Sequence, residues 1–354
     1  MYSYNHDASP PCERPEPKAA SGPGEHAELG WSLKRQRALE GCTRLYYHLV
    51  YGSWNGWRAA PDEPAWRTYR LKHLVTLEQV VGIEVHERAR EVVRSILERT
   101  GRPTHAVLYE RCWATLGRLR DADIRAFLHR PKEHPLLLGV YYGWDRDWDT
   151  AFREAGGLID RCLRALLASP LLDELARCAP GHVLLPNPFD QVPFVVDGEP
   201  TPVWAAPDLA HWRPTGPGAH HVLEITDWKT GSDDRAEDQL AVYAVFLRAR
   251  LRIPFAEGRF AGRVVSLRDG TETRHQITRA DLVAAAGRIT DGVRSMRRFL
   301  TAPGKSAPLP RNAFPMVPPE HRWRCARCPF AQLCDAERTA ASDSLGTDDL
   351  REGR

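Results

Sequence analysis

A chain of 354 residues, 42% apolar and 27% charged, carries enough apolar material for a sizeable buried core. Its formal net charge of +3 gives no general attraction for polyanions, and 43 of its 49 Lys and Arg residues are Arg, which makes any Lys inside a motif conspicuous. No run of about 18 apolar residues is present, so a helical membrane span is not expected, and eight cysteines without the apolar core of a signal peptide suggest the cytoplasm, with thiols buried or bound to metal.

In chain order, residues 1–30 are rich in Pro, Ser, Gly and charge and read as a disordered tail, as do residues 341–354. Between them lies a single domain, 31–340. Its first part, 31–180, is mainly helical in pattern. Residues 31–51 read as one helix, followed by the aromatic turn GSWNGW and a Pro-rich connection at 59–66. Thr76 and Gln79 form a capping-box pair, and Leu77, Val81, Val85, Ala89, Val92 and Ile96 recur at helical spacing behind it. Residues 104–178 continue in helical pattern, broken near HRPKEHPLLLGVYYG.

At 181 the character changes to short apolar runs separated by Pro, Gly and Asp, the pattern of strands and turns. GHVLLP, PFVVDGEPTPVWAAPDLAHW and HHVLEITDW predict strands, a helix follows at about 236–250, and Asp269-Gly270 predicts a hairpin turn. Thr278 caps a helix running to about 300, with Asp281 at its third position. Residues 301–340 form a Pro-rich, cysteine-bearing segment. The expected class is α+β: helices, then a 181–300 core of a small sheet flanked by helices, then a metal-stapled tail.

The stretch ITDWKTG at 225–231 carries chemistry. Side chains alternate along a strand, so Asp227 and Lys229 share one face and Trp228 points into the core. Asp208 ends the preceding strand pattern, and pairing of the two strands would bring it to Asp227. Two carboxylates suit a hard cation such as Mg2+ or Mn2+. Lys229 beside them could position a water and stabilise charge developing on a phosphate. Gln239 and Tyr243, one turn apart on the next helix, could line the same site. The plain alternative is a strand carrying a surface ion pair.

CARCPFAQLC at 325–334 places Cys325, Cys328 and Cys334 within one short stretch. Thiolate-bound soft metals take four ligands, and His321, four positions earlier, would complete a local Cys3His zinc set. Cys112, Cys162 and Cys178 fall in helical patterns as small buried apolar groups, and Cys12 lies in the tail. Arg294, Arg297 and Arg298 could contact phosphates or simply favour a helix C-terminus. Tyr46, Tyr47, Tyr51, Trp54 and Trp57 could stack on bases or pack a core.

Pro207-Asp208 followed by Asp227-Trp228-Lys229 resembles the PD-(D/E)XK nuclease signature. D-W-K-T-G with Gln239, Leu240, Tyr243 and Ala244 in a Q-L-x-x-Y-A pattern looks like its RecB-type branch. That branch often adds a metal-binding His closing a G-x-x-x-H segment, here Gly82 to His86. The resemblance implies a restriction-endonuclease-like sheet and a metal site of His86, Asp208, Asp227 and the Trp228 carbonyl. It makes Asp208, Asp227 and Lys229 catalytic, and gives Gln239 and Tyr243 a positioning role. The expected activity is phosphodiester hydrolysis in DNA, as an exonuclease on single-stranded ends.

The sequence is further similar to AddB-type and CRISPR-associated iron–sulfur nucleases, whose pattern is one early Cys and a late C-x-x-C-x5-C. That similarity assigns Cys42 with Cys325, Cys328 and Cys334 to a 4Fe–4S cluster, although Thr43 stands where the family has Pro. A cluster joining positions 283 apart would staple the tail to the first helix. Zn2+ remains the alternative metal. A non-catalytic DNA-binding adaptor of a repair or CRISPR complex, and a zinc-stapled helical protein without a nuclease core, are the alternative functions. No G-x-x-x-x-G-K-[ST] loop is present, so a helicase would be a separate chain.

Overall fold

The computed structural model describes residues 26–348 apart from 188–189, 215–220, 232–235, 255–257 and 303–306. Residues 1–25 of the tail expected at 1–30, with Cys12, and residues 349–354 lie outside the described residues; within the last five positions of that stretch Ala27 and Gly30 are buried, with Ala27 in the core. The N-terminal helical part comprises α1 (Leu33–Gly41), α2 (Thr43–Tyr47), α3 (Pro64–Lys72), β1 (Leu74–Val75), α4 (Leu77–Glu98), α5 (His105–Arg120), α6 (Ile124–His129), β2 (Leu136–Leu137), α7 (Leu138–Tyr141), α8 (Trp148–Ala168) and α9 (Pro170–Arg177). Then follow β3 (Val183–Leu184), β4 (Gln191–Val196), β5 (Glu199–Trp204), β6 (Leu209–Pro214), β7 (His221–Lys229), α10 (Ala236–Leu251), β8 (Phe260–Ser266), β9 (Thr271–Ile277), α11 (Arg279–Arg297) and α12 (Ala331–Asp348).

The central sheet has five strands in the order β3-β6-β7-β8-β9. All its neighbours are antiparallel except β7 and β8, which run parallel because α10 carries the chain across between them. β7 is buried along almost its whole length, as a central strand covered on both faces must be. One face, through Leu223 and Ile225, packs on α10 and α11; the other, through Trp228 and Val265, packs on α4, α5, α8 and α9. The approach of α10 to β8 is close enough that a Cβ on Gly262 would lie 2.6 Å from the Leu240 side chain. The mixed sheet with helices on both faces is the restriction-endonuclease-like α/β core expected.

Local chemistry explains the element boundaries. Both capping boxes form: Thr76 with Gln79 starts α4, and Thr278 with Asp281 starts α11. The single helix expected over 31–51 is instead broken at Cys42, whose backbone is extended and whose sulfur accepts from Leu45 N at 3.4 Å, so that Cys42 caps α2. A π-helical turn, His48–Gly52, follows α2. Asp197 and Gly198 both adopt positive φ, the requirement of a tight two-residue hairpin, and β4–β5 stands as a separate two-stranded sheet. At Asp269-Gly270 only Gly270 has positive φ, and its N–H bonds back to Ser266 O, giving a longer turn than the tight one expected.

Arg294 forks onto Asp197, and Arg297 reaches the Val196 carbonyl, so these two arginines tie α11 to the β4–β5 hairpin instead of offering phosphate contacts. Tyr46, Tyr51 and Phe314 are buried together in the core. Cys112 and Cys162 are fully buried and Cys178 partly so. α12 runs across the boundary expected at residue 340.

Candidate active site

The antiparallel pairing of β6 and β7 sets Leu209 opposite Thr226, which brings the start of β6 beside the end of β7. Asp208 was expected at the end of a strand; it stands immediately before β6 begins, and antiparallel pairing is what carries it to Asp227. One carboxylate oxygen of Asp208 accepts from the Trp228 backbone N–H at 2.9 Å, and the other lies 2.9 Å from His86 Nδ1. α4 supplies His86 from its third turn, with the imidazole edge-on to the buried Trp228 ring. Gly82, one turn earlier, faces Thr230: a Cβ there would meet Thr230 Oγ1 at an ordinary 3.5 Å.

Asp227 and Lys229 point to the same face of β7, and Lys229 Nζ lies 2.7 Å from Asp227 Oδ2. From α10, Gln239 engages both residues at once. Its carbonyl accepts from Lys229 Nζ at 3.2 Å, and its amide N–H donates to Asp227 Oδ1 at 3.3 Å. The same amide donates to the Tyr243 hydroxyl at 2.5 Å, one helical turn on. His86, Asp208, Asp227, Trp228, Lys229, Gln239 and Tyr243 are thus brought to one end of the sheet, by α4 on one face and α10 on the other.

Asp208 and Asp227 are both buried, with Lys229 as their one fixed positive charge among the described residues and His86 as a pH-dependent one. Burial, followed by the neighbouring Asp208 carboxylate, pushes Asp227 up to about 6 despite Lys229 and His86. Burial disfavours the His86 imidazolium, but the Asp208 hydrogen bond and the charges of Asp208 and Asp227 outweigh it, so the imidazole is more basic than usual. Burial and the same two carboxylates hold Tyr243 as a neutral phenol. A carboxylate held up by a second carboxylate is the donor set a divalent cation relieves, and oxygen donors with one imidazole fit Mg2+ or Mn2+.

The cysteines gather at a second place. Thr43 Oγ1 donates to Pro315 O at 2.7 Å, Arg44 Nε to Phe314 O at 2.7 Å, and Arg324 Nη1 to Gly41 O at 2.8 Å, which hold the tail against the corner between α1 and α2. Burial, then the neighbouring thiols Cys334, Cys42 and Cys325 against a backbone hydrogen bond from Phe330, push the Cys328 thiol up to about 12. Burial likewise raises Cys334, to about 11, with Cys42 among its neighbours. His321, the zinc alternative, is exposed. Crowded, partly buried thiols at a corner bridged from both chain ends fit a thiolate-bound metal group.

A third charged group was not read from the sequence. Glu224, in the middle of β7, is fully buried and lies 2.6 Å from the equally buried Arg263 of β8. Arg263 also reaches Glu174 of α9 at 2.5 Å and Glu272 of β9 at 3.3 Å, while Arg213 and Arg274 close on Glu224 at 3.1 and 3.4 Å. Ligand atoms of Glu174, His211 and Glu224 come within 4.8 Å of one another, near enough for a metal. The Arg263 guanidinium already bridges the two carboxylates, however, and a cation there would face that fixed positive charge. The only sequence signal was a pair of charged residues, Glu224 and Arg263, inside apolar strand patterns.

The chain matches the family model of the PD-(D/E)XK nuclease superfamily over residues 31–335 and belongs to that superfamily. Members of it are usually nucleases that use Mg2+ or Mn2+. A search of curated proteins finds no match. No helix among the described residues is long and apolar enough to cross a membrane.

Proposed function

We propose that this chain is a metal-dependent deoxyribonuclease of the RecB-like branch, acting as an exonuclease on single-stranded DNA ends, with a structural 4Fe–4S cluster. The observation that carries the reading is the convergence of His86, Asp208, Asp227, Lys229, Gln239 and Tyr243 at one end of the sheet. Mg2+ or Mn2+, held by Asp208, Asp227, His86 and the Trp228 carbonyl, would supply Lewis-acid activation of the phosphate and of an attacking water.

The chain's own residues divide the remaining work. Lys229 orients the water and offers positive charge where the phosphate gains negative charge. Gln239 fixes Lys229 and Asp227 relative to each other, and Tyr243, kept neutral by its surroundings, fixes the Gln239 amide. The Asp208–His86 bond sets the imidazole orientation. The 4Fe–4S cluster, on Cys42, Cys325, Cys328 and Cys334, has a stapling task. The proximity of Cys42 to the tail cysteines and the exposure of His321 support a four-cysteine set over the local Cys3His zinc set, and the cysteine pattern shared with iron–sulfur nucleases supports iron–sulfur over four-cysteine zinc. Opening of duplex DNA would fall to a separate helicase, or to a repair or CRISPR partner.

The test is cleavage of end-labelled single- and double-stranded DNA by anaerobically purified protein, with Mg2+ or Mn2+, beside Lys229→Ala. Metal-dependent shortening from single-stranded ends that disappears in the variant is the expected result. DNA binding without cleavage under either metal would instead favour the adaptor role. Iron analysis of the same preparation, with Cys328→Ser, checks the staple: the variant should lose its iron and brown colour and melt at lower temperature.

A further inference from the structure

Beside the proposed site, α4, α8 and the turn after β8 enclose a groove of about 300 Å³. Its apolar surface is the half-buried Leu158, which lies over a buried layer of Leu77, Val81, Ala151 and Ala155. Its charged lining is Arg146, Arg161 and Arg268, with Glu78 and Glu154 among them. Arg146 is engaged, with its guanidinium 5.5 Å over the Trp148 ring and 3.9 Å from Glu78. Arg161 and Arg268 are exposed, and among the described residues neither forms an ion pair. Arg164, one turn along α8 from Asp160, shows the contrast: it is held by that carboxylate through two hydrogen bonds.

The groove opens at the end of the sheet that carries Lys229. Arg268 follows Leu267, whose N–H bonds to the Lys229 carbonyl at 2.8 Å. On the opposite wall Val81 precedes Gly82, whose Cβ position lies 3.5 Å from Thr230 Oγ1. Two guanidinium groups outside any ion pair offer phosphates two partners, and the half-buried Leu158 of the lining gives an unpaired base or sugar an apolar contact. A duplex, with its bases stacked inside, would leave the Leu158 contact unused.

We infer that this groove is a single-stranded DNA track, in which Arg161 and Arg268 hold consecutive phosphates of the strand that leads to Lys229. The inference rests on the nuclease reading and adds the path of its substrate. Binding of a short labelled oligothymidylate to the full chain, with Ca2+ replacing Mg2+, tests it across a salt series. The proteins compared are wild type, the double variant Arg161→Gln/Arg268→Gln, and Arg177→Gln, which alters an exposed arginine at the far end of α9.

The double variant should bind about tenfold more weakly near physiological salt, with a log–log salt slope shallower by about 0.7 per arginine, while Arg177→Gln matches wild type. Its melting temperature should be unchanged, since both side chains are exposed. In Mg2+ its KM for single strands should rise with little change in kcat. Equal affinity and slope in the double variant and wild type would overturn the track. If the shifts appear but no metal supports cleavage, the track stands and the nuclease reading falls. A wild-type chain that binds no DNA would overturn both.

Discussion

β7 carries two buried charged groups a few residues apart, and they are built on opposite principles. Around Glu224, three carboxylates (Glu174, Glu224 and Glu272) meet three guanidinium groups (Arg213, Arg263 and Arg274), and Arg263 fills the centre. Around Asp227, two carboxylates share one fixed positive charge, Lys229, and one histidine whose charge depends on pH, and burial followed by the Asp208 charge raises the proton affinity of Asp227. A closed, charge-matched network holds strands together. An under-compensated pair of acids is costly unless a cation arrives, which is why the second arrangement and not the first reads as a metal site.

That contrast can be broken at either group. Lys229→Ala should lower cleavage by about a thousandfold, the scale of losing one preorganised charge-stabilising donor, while DNA binding and melting stay close to wild type. Arg263→Met should do the reverse. It strands Glu224 without its main partner in a fully buried position, at a cost of about 3–5 kcal/mol, read as a large fall in melting temperature. A variant at Arg263 that melts normally but cannot cleave DNA would show that the network belongs to the chemistry.

The pH dependence sharpens the comparison. Asp227 ionises near pH 6 in the fold against 3.8 for the free side chain, so the unfolded chain loses its proton first. Stability of the metal-free protein should therefore fall as pH rises from about 4 to about 6. His86, also raised, contributes stability below its ordinary value of 6.5 that is lost as pH climbs through its folded value, in the same direction. Melting curves from acid to neutral pH should show this decline in metal-free wild type and a smaller one in Asp227→Asn. The smallest effect is expected at Gly82→Ala, where the added methyl meets Thr230 at an ordinary distance; cleavage should stay within about twofold and helix propensity should improve slightly.

The part of this legible in the sequence was the part written locally. Period-two alternation placed Asp227 and Lys229 on one face, and helical spacing paired Gln239 with Tyr243 and stacked Gly82 a turn from His86. Both capping boxes were visible because their partners are three residues apart. What escaped depends on distant partners. Arg263 finds Glu174 across 89 positions, and nothing in either neighbourhood announces the other. The break at Cys42 was hidden inside a good helical pattern, because the sulfur competes for the Leu45 N–H only once the chain turns there. Asp208 was identified correctly as a partner of Asp227 but on the wrong side of its strand, since the register of β6 against β7 is a tertiary fact.

The most direct test is titration of metal-free protein with Mn2+, followed by calorimetry, for wild type, Asp227→Asn and Glu224→Gln. The account predicts binding in wild type that is abolished by Asp227→Asn, accompanied in wild type by a rise in melting temperature on adding Mn2+. It predicts that folded Glu224→Gln binds as wild type does. Undiminished Mn2+ binding in Asp227→Asn, or its loss in a folded Glu224→Gln, would contradict the assignment of the metal to the under-compensated pair.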